Sequence, residues 1–284
     1  MKLCRFQIGQ SNPKVGLVLD EVILDLTAEG IDRISSLLEF EGLMTQLTGL
    51  ARAQLPRHPR AEVKLLSPVE QQEVWAVGVT YLRSKKARME ESDFSANAYD
   101  KVYEAPRPEL FFKALPEKVV PPGEPVGIRK DAQWNVPEPE LAFVLNSRGH
   151  LVGYTIGNDM SSRDIEGENL LYLPQAKIYD RSCAVGPVFV LGATEAEARQ
   201  WKIELQIQRA DAIVFRGETS VNQIKRRFDE LVEYLFRSQT FPHGAILLTG
   251  TGIVPPDGFT LAAGDRIRIN ISGIGVLENS VVVV

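Results

Sequence analysis

The sequence is short of cysteine, of positive charge and of long apolar runs. Its two cysteines, Cys4 and Cys183, are too few for a disulfide framework, which points to a reducing cytoplasm. Its net charge of −5 lacks the basic excess that displaces counterions, so a nucleic-acid binder is disfavoured. No apolar run approaches the roughly 18 residues a membrane helix needs. Residues Met1 to Gln7 hold no apolar h-region, so neither a membrane partner nor a secretory leader is expected.

What is present is ordinary globular composition, 44% hydrophobic and 24% charged, which sets disorder aside. With roughly 100–200 residues per domain, 284 residues suggest one large domain or two unequal ones. Residues 1–66 read as a small N-terminal α+β unit. Val15 to Leu19 and Val22 to Leu26 flank Asp20-Glu21 as a hairpin. Ile34, Leu37, Leu38, Leu43, Met44 and Leu47 then recur at helical spacing, interrupted by Gly42. Pro56, His58 and Pro59 suggest a boundary or linker before a unit spanning 67–284. There, Trp201 to Gln208 and Arg266 to Ser272 alternate apolar and polar as half-buried antiparallel strands. Ser220 and Gln223 form a capping-box pair ahead of Val221, Ile224, Phe228, Leu231 and Leu235, which predicts one helix. Strands without regular helical alternation indicate a β-rich α+β fold. The polar segment 90–107 reads as a lid over a site or, equally, as a solvated loop.

The chemistry concentrates in four places. Glu138 and Glu140 stand two apart at the start of a buried strand and so share a face. Alone, such a pair reads as a solvated strand end; a divalent cation also relieves its repulsion, and Mg²⁺, Mn²⁺ or Ca²⁺ suits hard oxygen ligands. Asp159 ends the apolar strand Leu151 to Ile156 plus Gly157-Asn158, as either an Asx-turn residue or a third ligand. Lys177 is a solvated charge or, if the acids share an ion, the cation that offsets their surplus and bonds an oxyanion. Leu247-Leu248-Thr249-Gly250-Thr251-Gly252 opens a strand into a glycine loop whose N–H groups could approach an anion. No helix pattern follows the loop, so a dinucleotide fingerprint is rejected.

Taken in order, these segments resemble the fumarylacetoacetate hydrolase superfamily. The resemblance rests on Leu66-Ser67-Pro68-Val69, Val77-Gly78-Val79-Thr80-Tyr81, Arg107-Pro108-Glu109-Leu110-Phe111-Phe112-Lys113, Glu138-Pro139-Glu140-Leu141 and Gly153 to Asp164. Lys177, Gly186-Pro187 and Leu248 to Gly252 complete it. It covers the chain from about Leu66 to the C-terminus. It implies a β-roll with a small N-terminal domain, assembled as a homodimer or homotetramer. It also places Glu138, Glu140 and Asp159 as metal ligands and Lys177 as the lysine facing a 2-keto acid substrate. Thr251 falls on a carboxylate-binding threonine and Glu166 on a polar position lining the pocket. Hydrolases of the superfamily carry a histidine three residues after the motif tyrosine. Here Tyr81 is followed at that spacing by Ser84, Thr80 replaces an asparagine, and His58, His150 and His243 all lie elsewhere. Serine does not activate water without its own base, so hydrolytic C–C cleavage is disfavoured.

Tyr81 to Arg88, with Asp164 to Asn169 and Leu173 to Lys177, instead resembles the superfamily's dehydratases of 2-keto-3-deoxy sugar acids. These convert 2-keto-3-deoxy-D-arabinonate to 2,5-dioxopentanoate in pentose catabolism. That resemblance makes Glu109 an acid/base, with Arg83 and Ser84 binding the substrate. Glu109, Phe111 and Lys113 share one strand face. Glu109 is therefore either a desolvated acid/base or a surface partner of Lys113 or Arg107. The competing readings are a C–C hydrolase or decarboxylase of a diketo acid, with water activated by Glu109 or Glu166, and a silent metal-binding scaffold.

Overall fold

The computed structural model describes residues 1–82 and 101–284. Among the described residues two large sheets dominate. The larger runs, edge to edge, through Arg57–Pro59, Val22–Asp25, Lys14–Leu19, Lys2–Gln7, Cys183–Leu191, Leu151–Asp159, Pro139–Leu145, Ala245–Leu248, Glu73–Gly78 and Glu109–Ala114. Lys64–Leu66 adds to Lys2–Gln7 off that path. The smaller runs through Ala212–Ser220, Lys202–Arg209, Arg266–Ile271, Gly275–Val283 and Val126–Ile128. Neighbours are antiparallel except Ala245–Leu248 on Glu73–Gly78 and Gly275–Val283 on Val126–Ile128.

Strand parity divides the apolar residues between two cores. Leu141, Phe143, Tyr154 and Ile156 cluster with Ile203, Leu205, Ile207, Ile267, Ile269 and Ile271 of the smaller sheet. Ala142, Val144, Ile246 and Leu248, of the other parity, cluster with Leu24, Leu37 and Leu47 of the N-terminal segment. Burying each such side chain contributes about 1.5–3 kcal/mol before chain entropy is set against it. Glu138 and Glu140 have the same parity as Ala142 and Val144. They therefore emerge on the second face, where the apolar stripe stops.

The hairpin, Lys14–Leu19 with Val22–Asp25, forms as the pattern predicts. Three local expectations need correction. Residues 57–59, read as a linker, form a strand on Val22–Asp25, because Leu24 and Ile23 pair with Arg57 and His58. The helix expected from Val221 to Leu235 is confined to Phe228–Phe236; Val221–Gln223 is a single 3₁₀ turn and Ile224 is extended. Ser220 does not cap it. Its strand register against Lys202 holds its hydroxyl on the carbonyl of Trp201, 3.3 Å away. The spacing misled because Val221, Ile224, Phe228, Leu231 and Leu235 are all buried, whatever the backbone does between them. A capping box does occur, at Thr194 and Glu197. The N-terminal segment is also continuous with the large sheet, since Lys2 and Leu3 pair with Val190 and Phe189.

Candidate active site

Three neighbouring strand ends build the site. Pro139–Leu145 and Leu151–Asp159 pair so that Glu140 lies opposite Gly157, and the Asp159 N–H donates to the Glu138 carbonyl at 3.0 Å. That register brings carboxylate oxygens of Glu138, Glu140 and Asp159 within 4.8 Å of one another. All three side chains are buried. Burial first, then the charges of Asp159 and Glu138, push the Glu140 carboxyl well above the usual carboxylate range; Lys177 and the Gly250 N–H oppose them. Gly250 donates to Glu140 at 2.6 Å, so the glycine loop grips a carboxylate of the protein itself. Its φ of 87° needs glycine, and a Cβ there would collide with the Thr80 hydroxyl. That hydroxyl, standing where hydrolases carry asparagine, donates to the Thr249 carbonyl at 2.6 Å and fastens the loop.

Among the described residues, three buried cations face the acids. Lys177 Nζ donates to Glu138 at 2.8 Å and to Asp159 at 3.0 Å. Arg163 donates to the other Glu138 oxygen at 3.1 Å. Lys113 Nζ lies 2.5 Å from Asp159 Oδ1. Removing one partner of a buried pair costs about 3–5 kcal/mol, so these groups are mutually dependent. The sequence reading gives Arg163 no role and Lys113 only that of a surface partner for Glu109. Lys113 belongs to the same strand face as Glu109 and Phe111, and Arg163 to the segment Ser161 to Asp164 that follows Asp159, but neither position marks the residue as buried.

That strand face runs the length of the site. Lys113 meets Asp159, the Phe111 ring lies 5.9 Å from Lys177 Nζ, and Glu109 reaches a cleft of about 420 Å³. Glu166 lines the same cleft, with Pro108, Leu110, Leu170 and Leu173 as apolar walls. The Glu109 carboxylate packs against Gly78, where a Cβ would strike it. Of the surface partners considered for Glu109, Lys113 is buried against Asp159, and Arg107 lies over the Tyr234 ring, 5.5 Å from its centroid. Glu166 is buried and accepts from Ser161 at 3.0 Å. Thr251 is buried too; its hydroxyl closes a turn, accepting from the Ile253 N–H at 3.2 Å. Arg83, Ser84 and most of the segment 90–107 lie outside the described residues. Beside the site Cys183 is free and inert, its thiol pushed up to about 12 by burial.

Clustered buried carboxylates suit a hard divalent cation, and an ion there would add to the three protein cations a field that attracts an anionic oxygen-rich ligand. The class this defines is a metal-assisted enzyme of small acids, built at the strand ends of a two-sheet roll. The chain belongs to the fumarylacetoacetate hydrolase family, whose C-terminal domain matches residues 73–282. It is 49% identical over 217 residues, 76% of this chain and 74% of the relative, to a probable 2-keto-3-deoxyxylonate dehydratase of Haloferax volcanii. It is 42% identical over 219 residues, with the same coverage, to the 2-dehydro-3-deoxy-D-arabinonate dehydratase of Saccharolobus solfataricus. A solved structure of 2-keto-3-deoxy-D-arabinonate dehydratase complexed with magnesium and 2,5-dioxopentanoate superposes with a TM-score of 0.84. It is 34% identical and covers 100% of this chain and 99% of that one. The fold is thus the strand-rich α+β roll of that family, as the motifs predict.

Proposed function

We propose that the protein is a metal-dependent hydro-lyase that removes water from a 2-keto-3-deoxy sugar acid, converting 2-keto-3-deoxy-D-arabinonate to 2,5-dioxopentanoate in pentose catabolism. The observation that carries this is the cluster of Glu138, Glu140 and Asp159 with Lys177 Nζ set 2.8–3.0 Å from two of them. The dehydratase relatives support the substrate class. The donor set fits Mg²⁺, with Mn²⁺ or Ca²⁺ as members of the same hard class. When bound, the ion would polarise a 2-keto group and so acidify the C3 hydrogens.

The chain's own residues divide the remaining work. Lys177, which donates to two carboxylates, is a donor in this arrangement and steadies the oxygen on which charge develops. Glu109, which lines the cleft, takes a C3 proton and delivers it to the departing C4 hydroxyl, so that water leaves. A proton moved from C5 back to C3 then gives the C4–C5 enol, which tautomerises to the aldehyde. Glu166, Arg83 and Ser84 bind the distal hydroxyls. The Thr251 loop binds the carboxylate.

Incubation with Mg²⁺ and a panel of 2-keto-3-deoxy pentonates and hexonates, followed by mass spectrometry, tests the reading. A single product lighter by one water is expected; two fragments would indicate a C–C hydrolase. The free buried cysteines support a cytoplasmic location. The start of the family match at residue 73 supports reading 1–66 and 67–284 as two units of the sequence, joined through one shared sheet. Light scattering tests the homodimer or homotetramer that the family leads us to expect.

A further inference from the structure

We infer that Lys113 is a positioning residue that sets two parts of the site at once, the carboxylate of Asp159 and the main chain carrying Lys177. This rests on reading Glu138, Glu140 and Asp159 as a cation site. Lys113 is fully buried, on the strand Glu109–Ala114. An ammonium has three donors and no acceptor. Here it donates to the Met160 carbonyl at 3.0 Å and to the Lys177 carbonyl, and its charge stands 2.5 Å from Asp159 Oδ1 as an ion pair. With two donors on main-chain carbonyls and its charge on Asp159, the fully buried Lys113 is placed to hold the site rather than to contact substrate.

Its effect is transmitted through what it holds. With Oδ1 of Asp159 taken by Lys113, Oδ2 is turned toward Lys177 Nζ, 3.0 Å away. The Lys177 carbonyl lies at the end of the short helix Leu173–Lys177, so fixing it fixes the root of the side chain that spans Glu138 and Asp159. One charge on one strand ties together the Leu151–Asp159 strand, the residue after it and that helix. Partners of this kind orient ligands, and their loss typically costs 10- to 100-fold in metal affinity or activity.

The test is Mn²⁺ affinity, read by electron paramagnetic resonance of the free ion, in wild type and in Lys113→Met and Lys113→Gln. Roughly 10- to 100-fold weaker binding is expected in variants with wild-type far-ultraviolet circular dichroism. Their kcat at saturating Mg²⁺ should fall more than KM rises, and the pH profile of kcat should keep its shape. Lys113→Arg, whose donors lie in a plane, should recover only part of the affinity. A purely structural lysine would lower the apo melting temperature and leave affinity untouched, and that result overturns the inference. Loss of one limb of the pH profile also overturns it, since Lys113 would then carry a proton. A wild type that binds no Mn²⁺ would instead sink the metal reading beneath it. If neither variant folds, the crystal structure of the wild-type protein decides. Lys113 Nζ on both Asp159 and the Lys177 carbonyl upholds the inference, and Nζ away from either overturns it.

Discussion

Glu138 accepts from Arg163 on one oxygen and from Lys177 on the other, so its charge serves both the cation site and the packing of two buried cations. Glu138→Gln should therefore lose at least the 10- to 100-fold in turnover that perturbing a metal site costs, with excess Mg²⁺ restoring only part, as steady-state kinetics would show. Glu109→Gln should keep KM and lower kcat by roughly 10²- to 10⁴-fold, the usual share of a general acid–base; unchanged kinetics would remove Glu109 from the chemistry. The raised Glu140 carboxyl gives a pH signature. It binds its proton more tightly folded than unfolded, so the metal-free protein loses stability as pH rises from the ordinary carboxylate range toward the raised value. Mg²⁺ competes with that proton, so the Mg²⁺-induced rise in melting temperature should grow across the same window, measured by calorimetry. Glu138 and Glu140 were legible as a pair because strand parity put them on one face, while Asp159 and Lys177 joined them only through the order of the motifs. Lys113 and Arg163 were not, because a charged residue in sequence looks solvated until three-dimensional packing shows it fully enclosed.

At the level of elements, glycines set where functional groups can stand. Gly78 makes room for the Glu109 carboxylate on the neighbouring strand. Gly78→Ala should displace that carboxylate and depress kcat while Mn²⁺ affinity stays at the wild-type value; equal losses in both would show that the strand pair had shifted as a whole. The half-buried strands Lys202–Arg209 and Arg266–Ile271 were readable because alternation is a direct image of one wet and one dry face. The helix before Leu235 was overextended because burial at 3,4,3,4 spacing is also produced by a 3₁₀ turn and an extended link running over the same core. Periodicity reports which residues are inside, and only hydrogen bonding decides the backbone between them.

At the scale of the molecule, the N-terminal segment and the family domain share one sheet and one apolar cluster. A linker was expected at 56–59 because prolines punctuate it; Pro59 instead sits on the outermost strand, the place where a missing donor costs least. Expressing residues 67–284 alone should therefore yield insoluble protein, since it uncovers the Cys183–Leu191 strand and Leu191, Val144 and Ile246 of the second core. A soluble, cooperatively melting fragment would show that the cluster is dispensable. Among the described residues no helix is long and apolar enough to cross a membrane. The strand-rich class was legible from alternation alone, whereas the meeting of Pro139–Leu145, Leu151–Asp159 and Glu109–Ala114 at one site depends on long-range pairing that no local pattern encodes. The most direct measurement is anomalous diffraction from crystals soaked in Mn²⁺. One strong peak within coordination distance of Glu138, Glu140 and Asp159 is the predicted result, and a protein that turns over substrate with no peak between those three carboxylates would contradict it.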